Sequence, residues 1–392
     1  MKIFPSITFL CLIFLLQSTG FPAACSETGV FAVISAAATC DNCPALWVNH
    51  ESAHQDIALY SFRGPRYDFS GVIQNQDTSQ VITGVNTAGF ALVYTTTVVS
   101  DSVAGQAHRH LLKKALGSCA NLADFEELLV THQARVNIGC FDANGDCALY
   151  EISPHKIIKY DINDSSDAPN GWLVRENFSF TCETPVSGSA WRYHRVNRLL
   201  EQAERTHTLD YKYLLQNIAR DLCAENLDPY PLPYTGSFRD APAGYIKTTD
   251  TINRHNTTLC VVIHGTANIV KSTPAALWII PGEPVCGIAV PVWAQSGTIP
   301  KELSGKSISN MNKEVRENAG KLYHKTNLPD YIDMKTLAGS NEAMLSLFLQ
   351  QENEIFRQTT EFIKNWHNNP SNFRELENWQ KKMVYQAIKT LR

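Results

Sequence analysis

The sequence predicts an α+β protein built in layers of sheet and helix. Short strands rich in Val, Ile and Leu fall into an early and a late group, and helical patterns lie between and after them. Residues 29–39 form an apolar run that reads as a buried strand. A turn at 40–44 follows, then strands over 45–49 and 57–62. Within 81–99 two apolar runs are broken at Asn86-Thr87-Ala88-Gly89, the pattern of strand, tight turn, strand. Helices are expected over 105–117 and 122–132, with Asn121 as the N-cap of the second. Residues 136–152 read as a hairpin turning at Asn144-Gly145, and 155–161 extend that sheet. Helices over 189–206 and 209–224 come next. Late strands cover 258–264 and 275–280, and 281–293 has the Pro and Gly spacing of a strand end and loop.

After residue 300 the texture changes. Residues 301–327 are polar. Met344, Leu345, Phe348, Ile355, Phe362 and Trp366 then form a helical stripe, stopped by Asn369-Pro370. Leu376, Trp379, Met383, Ala387 and Leu391 mark a final amphipathic helix. The expected organisation is a leader over 1–24, a main domain over 25–300 and a helical extension over 301–392 that packs back on it.

Composition narrows the function classes. The 392 residues are 44% hydrophobic and 18% charged, a globular balance, and the formal net charge is -4. Lys and Arg are scattered, so the basic surface that a phosphate backbone requires is missing and nucleic acid is excluded as a partner. Lys2 and the apolar run 7–16, too short for a stable membrane anchor, read as an export signal. Cleavage fits after Gly20 or after Ala24. The mature chain is therefore expected to be secreted or periplasmic, with no stable membrane span.

Of the 11 cysteines, Cys11 leaves with the leader, and ten suit an oxidising compartment. Cys140 and Cys147 flank the Asn144-Gly145 turn and are expected to form a disulfide; Cys40 and Cys43 form a second candidate pair. Cys40, Cys43, His50 and His54 are zinc-ligand types. Their Cys-to-His gap is far shorter than in finger modules, so the reading assigns no metal. Sequons stand at Asn163, Asn177 and Asn256.

Several motifs then occur in a recognisable order. They are Gly84-Val85-Asn86-Thr87-Ala88-Gly89, the helical pair 108–129, the hairpin from Phe141 and Asp142 through Gly145 to Glu151, Val174-Arg175-Glu176-Asn177-Phe178, Ser189-Ala190-Trp191-Arg192-Tyr193, and the segment from Trp278 to Pro291. With these the chain resembles the acyl-coenzyme A:6-aminopenicillanic acid acyltransferases, the choloylglycine hydrolases and the linear amide hydrolases of that clan, over about residues 25–300. The resemblance implies a four-layer αββα N-terminal-nucleophile sandwich, no cofactor, and a small-molecule amide or N-acyl substrate.

It also implies a nucleophile at the mature N-terminus. There the free α-amine, with a pKa near ~8, serves as general base for its own side chain. Cys25 is the candidate, although an ungapped comparison places the nucleophile nearer Gly29. Relatives carry an Arg and an Asp on the second strand. Here Asn49, His50 and Glu51 stand there, with Glu51 in place of the Asp and His50 a partial substitute for the Arg. Asn86 and Asn177 are the oxyanion candidates and Arg192 the buried cation beside the nucleophile; Asn86 also suits the φ > 0 of a tight turn. The function implied is amide C–N hydrolysis or acyl transfer through a cysteine acyl-thioester. The alternatives are a secreted binding protein that kept the fold without the chemistry, and a cysteine peptidase with a Cys–His pair.

Overall fold

The computed structural model describes residues 28–97, 104–130, 135–153, 155–180, 189–224, 243–266, 273–305, 308–323, 329–366 and 372–392. Fifteen strands are named in chain order. They are β1 (Thr28–Ile34), β2 (Ala45–Glu51), β3 (Ile57–Phe62), β4 (Phe69–Gln74), β5 (Thr83–Asn86), β6 (Ala91–Thr96), β7 (Val136–Phe141), β8 (Cys147–Ser153), β9 (Lys156–Asp161), β10 (Trp172–Arg175), β11 (Tyr245–Lys247), β12 (Thr257–His264), β13 (Ala276–Ile280), β14 (Val290–Val292) and β15 (Tyr331–Asp333). The helices are α1 (Ala104–Ser118), α2 (Leu122–Leu129), α3 (Ser189–Arg205), α4 (Tyr211–Tyr213), α5 (Asn310–Leu322), α6 (Met334–Ala338), α7 (Met344–Trp366) and α8 (Phe373–Leu391).

Two sheets dominate. One has six strands in the order β10-β1-β2-β12-β13-β14; the other is a seven-stranded meander from β3 to β9. All their pairings are antiparallel. All seven residues of β2 are buried, which explains an apolar run without a polar face. The sheets stack so closely that a Cβ at Gly139 in β7 would lie 2.4 Å from Val33 in β1. Glycine at that point is therefore a packing requirement.

Helices cover both outer faces. On the meander, the Phe125 ring of α2 meets Tyr150 at 5.4 Å and Phe90 at 5.7 Å. On the six-stranded sheet, Trp278 of β13 packs against Tyr211 of α4 and Phe356 of α7, each at 5.0 Å. The result is a four-layer αββα sandwich with helices at its C-terminal end. Among the described residues no helix is long and apolar enough to cross a membrane.

The expected elements form, with informative differences. Asn121 caps α2 as expected, its side chain accepting from Asp124 N–H at 2.9 Å. The polar stretch after 300 holds α5, which periodicity did not reveal. Its buried face mixes Met311, Val315 and Leu322 with Asn312 and Asn318. Their Nδ2 groups donate to the Pro281 carbonyl at 2.8 Å and the Leu391 carbonyl at 3.0 Å, which lets polar side chains occupy core positions. The helix expected over 209–224 is shorter. It starts at the Asp210 cap and widens into a π-helical stretch, Leu214–Ile218.

The Cys140–Cys147 disulfide does not form. In the hairpin Cys140 faces Ala148 and Phe141 faces Cys147, so the two cysteines are offset by one residue and point to opposite faces. Cys147 Sγ lies 3.9 Å from the Ile34 carbonyl in the other sheet. Cys40 and Cys43 are likewise free thiols, so the second candidate pair is not joined either.

The C-terminal helices are tied in by a buried ion pair. Arg220 donates through Nη1 and Nη2 to Glu352 of α7 at 2.8 and 2.7 Å, and the Ala289 N–H donates to the same carboxylate at 2.6 Å. Removing one partner leaves the other charge buried and unpaired. Glu352→Ala is therefore expected to lower stability by about 3–5 kcal/mol in urea unfolding. A loss below about 1 kcal/mol, the range of an exposed pair, contradicts that role.

Candidate active site

The site is built where β1 begins. Thr28 and Glu51 are partners in the β1–β2 ladder, so the start of β1 lies beside the end of β2. Strand alternation sends Asn49 and Glu51 to the helical side of the sheet and His50 between the sheets. Asn49 Nδ2 accordingly donates to the Ala219 and Ile252 carbonyls at 2.9 and 3.2 Å. The His50 ring faces Tyr94 of β6 at 6.0 Å.

Two guanidinium groups converge on Glu51. Arg192, in the first turn of α3, donates through Nη1 to Glu51 and through Nη2 to Glu176, just past β10. Arg254, in the loop before β12, donates to the second Glu51 oxygen at 2.8 Å. Side-chain exposure is 4% for Arg192 and 0% for both glutamates, so this is an ion network held out of water.

The meander closes it from the other side. Asn137 of β7 donates to the Glu176 and Phe178 carbonyls at 3.3 and 2.8 Å, and Thr95 of β6 donates to the Glu176 carbonyl at 2.9 Å. Glu176 Oε2, Asn49 Oδ1 and Asn137 Oδ1 are buried and have no partner among the described residues. The donor Arg254 Nε is buried and unpartnered as well, so the network holds unmet groups of both kinds, with acceptors in the majority.

Electrostatics follow from burial. Desolvation pushes the Glu176 carboxyl up to about 7, against the pull of Arg192. Desolvation also takes His50 down to about 4, so it is neutral at ordinary pH. A neutral ring on the opposite strand face from Glu51 cannot replace an Arg there, which corrects the partial substitution expected of His50. The second guanidinium on Glu51 is Arg254.

The structure brings together Glu51 and Arg192 and places Asn177, half-buried, one residue past Glu176. Asn86 has a different task. Its Nδ2 donates to the carbonyls of Leu116 and Cys119 at 2.9 and 2.7 Å, and its Oδ1 accepts from the Ala88 and Phe90 N–H groups at 3.0 Å. With these bonds it closes the β5–β6 turn and holds the end of α1, and no donor is left for an oxyanion. Cys25 lies outside the described residues. Sequence reasoning missed Glu176, Arg254, Asn49 and Asn137. Glu176 stood inside a recognised motif but was passed over for Asn177; Arg254 sits in a loop without a motif.

Two stacked sheets with helices on both outer faces are the αββα architecture of the N-terminal-nucleophile hydrolases. The sequence agrees: residues 47–228 match the family model of acyl-coenzyme A:6-aminopenicillanic acid acyl-transferase, as the motif order implied. This match supports an amide hydrolase or acyltransferase as the general class. No curated protein matches the chain.

Among solved structures the chain is similar to a Caenorhabditis elegans ortholog of N-acylethanolamine-hydrolyzing acid amidase, at 12% identity over 60% of this chain and 92% of that one, with a TM-score of 0.40. It is also similar to penicillin V acylase from Agrobacterium tumefaciens, at 13% identity over 68% and 86%, TM-score 0.39. A variant of conjugated bile acid hydrolase from Clostridium perfringens follows at 11% over 64% and 89%, TM-score 0.36.

Two predictions arise from the site. Glu176, and likewise the desolvated Glu283, titrates near 7 in the folded chain against an ordinary 4.5. Between those values the folded state holds protons that the unfolded state has lost. The stability these two groups contribute is therefore greatest below about pH 4.5 and falls as pH rises to 7, by up to about 1.4 kcal/mol per pH unit for each group. Melting temperatures taken across that range should fall, and less so in a Glu176→Gln, Glu283→Gln double variant; equal slopes contradict the assignment. Asn86→Ala should lower stability by about 2–4 kcal/mol, through four lost buried hydrogen bonds, while turnover per folded molecule is kept. A selective loss of turnover would return Asn86 to the chemistry.

Proposed function

We propose that the chain is an exported amide C–N hydrolase or acyltransferase whose nucleophile is Cys25, exposed as the mature N-terminal residue by removal of 1–24. The observation that carries this reading is the set of unpartnered buried acceptors around the Glu51–Arg192–Glu176 network at the start of β1. Cys25 precedes Thr28 by three residues, and three residues of chain reach at most about 10 Å. A free α-amine there would supply the N–H donors these acceptors lack.

In this mechanism the α-amine takes the Cys25 thiol proton while sulfur attacks the substrate carbonyl carbon. The carbonyl electrons move to oxygen, and the Asn177 amide is the candidate donor to that oxyanion. Collapse breaks the C–N bond, and the leaving amine takes the proton back from the α-ammonium. Water resolves the thioester to an acid, or a second amine resolves it by acyl transfer. Arg192 bridges the Glu51 and Glu176 side chains and is a positioning residue.

A second reading has its own observation. Gly29, where the ungapped comparison sets the nucleophile, cannot carry a side chain, because a Cβ there would stand 2.6 Å from the Asn49 carbonyl oxygen. The family match also begins at residue 47, beyond β1 and Cys25. On this reading the protein keeps the sandwich as a secreted binding protein without the chemistry.

N-terminal sequencing and intact mass of the exported protein separate the two. The enzymatic reading expects a chain starting at Cys25, a mass increase of one acyl group on mixing with a cleavable N-acyl amide, and loss of both acylation and turnover in Cys25→Ala. A mature start at Phe21, or turnover that survives in Cys25→Ala, overturns it.

A further inference from the structure

At the opposite end of the six-stranded sheet stands a second cluster with its own chemistry. The β1–β2 turn carries Asp41 and Cys43, and the last residue of β12 is His264, which pairs with Ala45 at the start of β2. β2 runs from there to Glu51, so about 20 Å separates this cluster from the Arg192 network. Asp41 Oδ2 lies 2.9 Å from His264 Nε2, and one donor atom each of Asp41, Cys43 and His264 falls within 4.8 Å of the others.

The local structure fixes all three donors. Thr39 Oγ1 donates to the Cys43 carbonyl at 2.9 Å and accepts from the Cys43 N–H at 3.1 Å. That N–H also reaches Asp41 Oδ1 at 3.2 Å, which leaves Oδ2 turned to the imidazole. Asn42 takes the left-handed conformation, φ 56°, that so tight a turn demands. Gly265 N–H donates to the Pro44 carbonyl at 2.8 Å and ties the end of β12 to the turn. The His264 ring lies against Tyr211, centroids 4.5 Å apart, and Tyr211 is stacked on Trp278.

The three donors border a cavity of about 400 Å³, lined further by Trp278, Trp293, Thr359 and Ile363. Cys43 is buried, while the His264 and Asp41 side chains keep 21% and 30% of their exposure, so the cluster is open toward that cavity.

We propose that Asp41, Cys43 and His264 bind one divalent ion of the zinc class, with its fourth coordination position facing the cavity. A thiolate, an imidazole and a carboxylate are the donor types such an ion takes, and three protein ligands with one open position is the arrangement that admits water or a ligand atom. Binding releases two protons to solvent, one from the Cys43 thiol and one from the His264 imidazolium that Asp41 holds charged in the free chain, and leaves the ion balanced by one thiolate and one carboxylate around a neutral imidazole. The backbone contacts of the turn and the Tyr211 ring then serve as the outer support that orients the ligands. The sequence reading had grouped Cys43 with Cys40, His50 and His54. Folding instead sends His50 to the far half of β2, leaves Cys40 exposed, and supplies Asp41 and His264.

The test uses the full mature chain, reduced, stripped with a chelator and desalted. Zinc chloride is added at one equivalent, the excess is removed, and bound metal is counted. One zinc per chain is expected. Cobalt chloride should give a thiolate-to-cobalt charge-transfer band, and zinc should raise the melting temperature. Cys43→Ser and Asp41→Asn should each weaken zinc binding at least about 10-fold and abolish the melting shift, and Cys43→Ser should remove the cobalt band. His264→Gln should do the same for zinc. If that variant does not fold, Asp41→Asn decides, because asparagine keeps the Oδ1 contact to the Cys43 N–H. Cys40→Ser should bind as the parent does. No bound zinc in the parent chain, a cobalt spectrum without a thiolate band, or zinc retained in Cys43→Ser overturns the proposal.

Discussion

A guanidinium cannot be neutralised by losing a proton in a protein, so a buried Arg must be surrounded by acceptors or excluded. Arg192 meets that constraint with two glutamates from different parts of the chain, Glu51 at the end of β2 and Glu176 just past β10. The three side chains tie α3 to the two strands that flank β1. Once Arg192 is in place, Glu51 and Glu176 are determined, and so is the exit of the chain from β10. Arg254 adds a second cation to Glu51 and brings the start of β12 into the same arrangement. The network is thus a joint between helix layer and sheet, set where β1 starts.

The two sheets hold this joint from opposite sides and by different means. The six-stranded sheet supplies charges. The meander supplies neutral donors, Asn137 and Thr95, which grip the backbone carbonyl of Glu176 and leave its side chain to Arg192. Neutral donors cost less to bury than charges, and they do not compete for the carboxylates. What remains unsatisfied includes the acceptor oxygens Glu176 Oε2, Asn49 Oδ1 and Asn137 Oδ1 and one donor, Arg254 Nε.

The strand order was legible where burial is uniform or alternation is clean. β1, β2 and the β5–β6 pair read directly, and Asn121 announced α2. α5 was not legible, because its core face includes Asn312 and Asn318, whose partners are carbonyls far along the sequence. The Cys140–Cys147 pairing failed for a related reason: spacing gives proximity in a hairpin, but the register decides the face, and an offset of one residue reverses it. At the site, Glu51 and Arg192 were legible through the family motifs. Asn86 was misread because a tight turn and an oxyanion donor favour the same residue type, and only its filled hydrogen bonds tell them apart. Arg254 and His264 carried no sequence signal at all, since each matters through partners some two hundred residues away.

β2 connects the candidate active site and the proposed metal cluster. Ala45, at one end, is paired with His264, and Glu51, at the other, is bound by Arg192 and Arg254. All seven of its residues are buried, and it is hydrogen-bonded to β1 on one side and β12 on the other. A strand fixed in that way cannot shift at one end without shifting at the other, because a slip of one residue would turn every side chain to the wrong face. The same rigidity that sets the carboxylates of the candidate active site against Arg192 therefore sets the β1–β2 turn against the end of β12. The imidazole–thiol–carboxylate cluster is a geometric consequence of the strand that the Arg192 network needs.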